Sequence, residues 1–298
     1  MQWMADCGTN AISIGVLEQD LFAAVENYNV ICEEAHRVGM KVYATPSRWG
    51  QLVAGSPKVP SLFCAMNPDA WAMGQDGKML AEGFGAFASV HHPKTYEFFC
   101  RSLEKMLTLF PIQGIVWDEV KNLQVRDYSH SAQSALAGLD IDDFKNHIDA
   151  TANFFERISQ FAKSIRPELH LCLFMQGMQK GYAIERMAEI ESLHDFGCDG
   201  RAFRYEDAPE SELTDMPVRK TLCDDGPKFM KYAKDHGKNS MLLIENHHMS
   251  KQYIELMDKR LPDVLAMNPD HLLYYYYPRS VACPDQNMKV IQKHLCNR

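Results

Sequence analysis

The sequence predicts an α/β chain folded as a (β/α)8 TIM barrel, and three observations carry that expectation. Short apolar runs of strand length alternate with helix-like stripes from one end of the 298 residues to the other. Most of these runs are apolar at nearly every position, the pattern of strands buried on both faces of a parallel sheet. The chain length suits one barrel over residues 1–298 better than an open doubly wound sheet. No G-x-G-x-x-G follows any strand, which leaves the dinucleotide-binding form of an α/β sheet without support.

The elements follow in order. "MQWMADCG" resembles the tail of a helix feeding a strand over "NAISIGV" (10–16). Leu21, Val25, Tyr28, Cys32 and Ala35 then recur at steps of three and four, one face of a helix that Gly39 ends. "KVYATPS" (41–47) is the second strand. A helix from Pro93 buries Tyr96, Phe99, Leu103 and Met106, and "GIVWDE" (114–119) follows as the third strand. Phe144, Ile148, Phe155, Ile158 and Ile165 stripe a long helix stopped by Pro167. Further strands are "HLCLFMQG" (170–177), "CDGRAFR" (198–204), "SMLLIEN" (240–246) and "HLLYYYYP" (271–278). Helices fill the intervals at Gly181–Leu193, Pro227–His236 and Ser250–Leu261, and a last one starts at Asp285. Seven strands are visible. The expectation is a barrel whose usual first strand is absent, so that the visible ones are its second to eighth, with sheet edges that permit a homo-oligomer. From Pro46 to Pro93 no regular pattern is present, and six glycines punctuate a long loop expected over the barrel mouth.

Bulk properties exclude several classes. A net charge of −8 disfavours nucleic acid as a partner, because phosphate binding needs a basic surface. No apolar run reaches membrane-spanning length, and the N-terminus has no signal-peptide pattern, so a cytoplasmic protein is expected. The nine cysteines form no C-x-x-C pair and read as reduced core residues.

The chemistry concentrates at two strand ends. Asp118-Glu119 follow the apolar run Ile115-Val116-Trp117, and Glu245-Asn246 follow "SMLLI". In a barrel both acids stand at the C-terminal mouth, where burial without a purpose is costly. Two carboxylates flanking a sugar are what glycoside hydrolysis requires. With "WDE" ending the fourth barrel strand and "IEN" the seventh, the chain resembles the clan A (β/α)8 glycoside hydrolases. It also resembles uncharacterised glycosyl hydrolase barrels that share a W-D-E strand end. The resemblance implies a retaining glycosidase with Glu119 as acid/base and Glu245 as nucleophile. It departs from the family at Asp118, where Asn is usual; a second acid there favours the protonated form of Glu119, takes a catalytic part itself, or marks a bound metal.

Substrate contacts are expected from side chains on mouth segments. Aromatic faces stack on sugars, which selects Trp49, Trp117, Tyr274 and Tyr276, with Trp71 also in the long loop. Arg48, Arg201 and Arg204 can bind anionic groups or pair with the acids, and His92, Gln176, Asn246 and His247 complete the candidate set. Glu18 and Asp20 fit a helix N-terminus and read as structural. No metal or cofactor is expected, since no H-x-H or H-E-x-x-H spacing occurs. A metal-dependent sugar isomerase or epimerase, with Glu119, Glu245 and a histidine as ligands, remains the alternative, as does a barrel that binds sugar without cleaving it.

Overall fold

The computed structural model describes residues 1–55, 57–208, 220–247, 249–275 and 284–296. Among the described residues there are nine strands: β1 (Ala11–Val16), β2 (Lys41–Pro46), β3 (Ala81–Glu82), β4 (Gly85–Ala86), β5 (Gly114–Trp117), β6 (His170–Gln176), β7 (Asp195–Gly200), β8 (Asn239–Ile244) and β9 (His271–Tyr274). Seven of them follow the order β1-β2-β5-β6-β7-β8-β9, and β3 with β4 makes a separate antiparallel hairpin. The chain is thus a mixed α/β fold built on a parallel sheet, with all seven expected strands present. It divides into two compact units, one of Asn10–Leu173 with Glu185–Leu193, the other of Met1–Thr9, Phe174–Ile184 and His194–Arg298.

In the first unit β1 pairs in parallel with β2, β2 with β5, and β5 with the start of β6. Every residue of β5 is buried, as its unbroken apolar run requires. The long helices Pro93–Leu109 and Phe144–Ile165 cover this part of the sheet; each begins on a side-chain cap, His92 and Asp143, and His92 is followed by Pro93 at the first helical position. Their inward stripes meet in an aromatic core. Phe99 packs edge-on against Phe154 at 5.1 Å between centroids, and Trp117 against Phe155 at 5.5 Å.

The segment between β2 and Pro93 is more ordered than its glycines suggest. It holds the short helix Leu62–Met66, two 3-10 turns and the β3–β4 hairpin. Its anchor is Glu18, which is 7% exposed and accepts hydrogen bonds from Ser61 Oγ (2.6 Å), Phe63 N (2.7 Å) and Gly50 N (3.3 Å). Burial pushes the Glu18 carboxyl above its ordinary proton affinity, against the lowering effect of those bonds. Asp20 caps its own turn, accepting from Leu17 N and Tyr28 Oη at 2.8 Å each.

In the second unit β7, β8 and β9 pair in parallel. Gly197 lets β7 and β8 approach, since a Cβ there would lie 1.6 Å from the Met241 carbonyl oxygen. The strand expected at 198–204 therefore lies earlier, at Asp195–Gly200, where Phe196 and Cys198 are buried and Asp199 ends the run. The helix expected to stop at Leu261 continues through Pro262 to Ala266, because Leu261, Val264 and Leu265 extend its buried face past the lost amide bond. The helix expected from Pro227 starts at Leu222, and that at 181–193 is limited to Tyr182–Ala188. Among the described residues no helix is long and apolar enough to cross a membrane.

Candidate functional site

In the first unit the candidate centre is the turn that leaves β5. Glu119 has φ of 37°, a left-handed backbone that costs a non-glycine residue about 1–2 kcal/mol. Such strain persists where surrounding contacts over-determine it. The contacts here come from the loop after β2: Ala54 N donates to the Asp118 carbonyl at 2.7 Å, and Lys121 N donates to the Leu52 carbonyl at 2.9 Å. That loop is itself held by Arg48, also at positive φ (60°), whose amide and Nε donate to the Ala54 and Gly55 carbonyls. Glu119 Oε2 lies 2.5 Å from Lys121 Nζ, and both side chains are only 12–14% exposed. A charge-assisted bond with this little solvent fixes the carboxylate in one orientation.

In the second unit a lysine joins two acids. Lys220 Nζ contacts Asp199 Oδ2 and lies 2.9 Å from Glu245 Oε1. Asp199, the penultimate residue of β7, accepts from Gly177 N at 3.2 Å, while Glu245 follows β8 and donates its amide to the Gly200 carbonyl at 2.8 Å. The ammonium stands where a bound cation would place its charge between these two carboxylates. Below Glu245, Arg201 Nη1 donates to the carbonyls of Glu245 and, at 2.6 Å, His247. Asn246 is wholly buried: its Nδ2 donates to the Tyr275 carbonyl (2.9 Å), its Oδ1 accepts from Tyr275 N (2.7 Å), and its own carbonyl accepts from Asn287 Nδ2. These bonds lock the backbone that carries Glu245.

Several residues expected to touch substrate have other roles. Trp49 and Trp117 are fully buried; their indole N–H groups donate to the Val16 carbonyl (2.9 Å) and Ser159 Oγ (3.0 Å). They are core residues, since the aromatic layer between helices and sheet takes both rings. Trp71 donates to the Cys64 carbonyl at 2.7 Å, and His92 caps the helix that follows it, accepting from Lys94 N. Arg48 and Arg201 hold backbone carbonyls, and Asn246 is a strut. Arg204 faces Asp224 at 3.6 Å. Gln176 ends β6 half-buried. His247 is half-buried with its ring edge-on to Tyr275 at 4.7 Å, and Tyr274 Oη shares a 2.7 Å hydrogen bond with Thr9 Oγ1. Tyr276 lies outside the described residues. Lys121, Asp199 and Lys220 went unnoticed in the sequence. Asp199 had a signal, a carboxylate closing an apolar run, but the strand boundary set three residues late concealed it.

No family model matches the sequence, and no curated protein does. Solved structures do. An α-L-fucosidase isoenzyme 2 from Paenibacillus thiaminolyticus superposes with a TM-score of 0.64 at 14% identity, covering 99% of this chain and 44% of that one. A β-galactosidase from the psychrophilic Marinomonas ef1 gives 0.68 at 11% identity, over 98% and 56%. The catalytic domain of a β-amylase from Paenibacillus polymyxa gives 0.63 at 9% identity, over 99% and 92%. The chain spans about half the length of the first two. The likeness shows that the fold is one these glycoside hydrolases share.

Proposed function

We propose that the chain is a glycoside hydrolase working with retention of configuration, Glu119 as acid/base and Glu245 as nucleophile. The observation that carries this reading is the position of the two acids: each follows the C-terminal end of a buried parallel strand, β5 or β8, and each is a nearly buried carboxylate held by a lysine. The fold shared with glycosidases supports it. Glu245 attacks the anomeric carbon while Glu119 gives its proton to the leaving oxygen; Glu119 then takes a proton from water, which releases the sugar. Lys220, 2.9 Å from Glu245 Oε1, holds that carboxylate oriented for attack. Lys121 must swing from Glu119 before the acid can carry its proton, a step that substrate binding would drive. The isomerase alternative loses ground because Lys220 supplies a positive charge between Asp199 and Glu245 that a divalent ion would have to displace.

Trapping tests this directly. Activated 2-deoxy-2-fluoro glycosides of galacto, gluco and fuco configuration should label the wild-type protein at Glu245, and Glu245→Gln should take no label. Glu119→Ala should lose about 10²–10⁴-fold on poor leaving groups yet retain activated aryl glycosides, with azide rescuing it as the retained glycosyl azide. Label on another residue, or turnover abolished by chelator and restored by a divalent metal, would remove the mechanism.

A further inference from the structure

We propose that Cys7 and Cys296 are a modification site, forming a reversible disulfide that fastens the N-terminal helix Gln2–Asp6 to the C-terminal helix Pro284–Leu295. The two residues are 289 positions apart in the chain, yet they line the same cleft and each thiol lies within electrostatic reach of the other. The other walls of that shallow cleft include Trp3, Tyr274, Met288 and Ile291. Their backbones are fixed: Cys7 N donates to the Trp3 and Met4 carbonyls at 3.1 Å each, and Cys296 N to the Gln292 carbonyl at 3.1 Å. The Thr9–Tyr274 hydrogen bond ties the same N-terminal segment to β9. Access also sets the pair apart. Cys32, Cys64, Cys172, Cys198 and Cys223 are buried, whereas Cys7 and Cys296 are half-exposed at the rim of the cleft. Cys100, the remaining half-exposed thiol among the described residues, is paired with Tyr96 instead.

The chemistry needs a small-molecule disulfide as oxidant, and glutathione disulfide serves. One protein thiolate attacks it, giving a mixed disulfide and one glutathione thiolate. The second protein thiolate then attacks the protein-side sulfur, closing the Cys7–Cys296 bond and releasing the second glutathione. Two protein thiols are oxidised and one glutathione disulfide is reduced to two thiols. Burial, and then the neighbouring Cys7, push the Cys296 thiol up to about 11, so the exchange is slow at neutral pH and quickens as pH rises. The closed loop would span nearly the whole chain, which restricts the unfolded state strongly.

The full chain incubated with glutathione disulfide at about pH 8.5, then alkylated and digested without reductant, tests this. The expected result is a linked peptide containing Cys7 and Cys296, a mass loss of two hydrogens, and a higher unfolding temperature that dithiothreitol reverses. Cys7→Ser and Cys296→Ser should each carry one glutathione on the surviving thiol and show no thermal gain. Two glutathione adducts on the wild-type chain, two free thiols, or a bridge to a different cysteine would overturn the proposal. None of these outcomes depends on glycosidase activity.

Discussion

Replacing Glu18 probes how one buried carboxylate organises the loop that braces Glu119. In Glu18→Ala, the Ser61 hydroxyl and the Phe63 and Gly50 amides all lose their acceptor. A buried donor left unsatisfied costs about 1–3 kcal/mol, and the two short bonds dominate, so a loss of about 3–5 kcal/mol is expected. Glu18→Gln should cost only about 1–2 kcal/mol, because its single carbonyl oxygen can serve Phe63 while the amide faces the rotatable Ser61 hydroxyl. The pH dependence is the sharper test. Burial raises the folded-state proton affinity of Glu18 above the ordinary value of 4.5. Above pH 4.5 the folded chain therefore holds a proton that the unfolded chain has released, and stability from this group falls as pH rises through the folded pKa. Glu18→Gln has no such proton. The stability advantage of wild type over Gln should be greatest at and below pH 4.5 and shrink at higher pH, by at most about 1.4 kcal/mol per pH unit. Urea unfolding of both proteins across this range measures it. An advantage that grows with pH would show that the three donors hold the carboxylate ionised against burial, and would refute the reasoning.

Three other substitutions test the framework. Gly197→Ala places a methyl 1.6 Å from the Met241 carbonyl and should cost about 3 kcal/mol or more, visible as loss of soluble folded protein or a large drop in Tm. Asn246→Ala removes both bonds to Tyr275 and opens a buried site; about 2–4 kcal/mol of stability should go in denaturant titration, together with hydrogen-exchange protection at the Tyr275 amide. Trp117→Phe should cost about 1–3 kcal/mol through the lost Ser159 bond and the space left beside Phe155, with KM for any glycoside unchanged; a raised KM would return Trp117 to the substrate site.

Local pattern alone determined a great deal of this protein. Buried parallel strands advertise themselves by unbroken apolar runs, and the amphipathic stripes of Pro93–Leu109 and Phe144–Ile165 follow from helical period, so all seven strands and the long helices were legible. The two strand-end acids stood out for the same reason, since charge at the close of an apolar run is conspicuous. Partnership was not legible. Whether Trp49 faces a sugar or the core depends on Phe98 and Phe99 from a helix more than forty residues on, and spacing along the chain carries no record of that. Lys220 reaches Asp199 and Glu245 from a segment with no motif of its own, and Glu18 gains its role only when Ser61 and Phe63 fold back upon it. Sequence period reports which face of an element is apolar; which neighbour that face or a buried charge meets is decided by long-range packing, where desolvation obliges each buried polar group to find its partners.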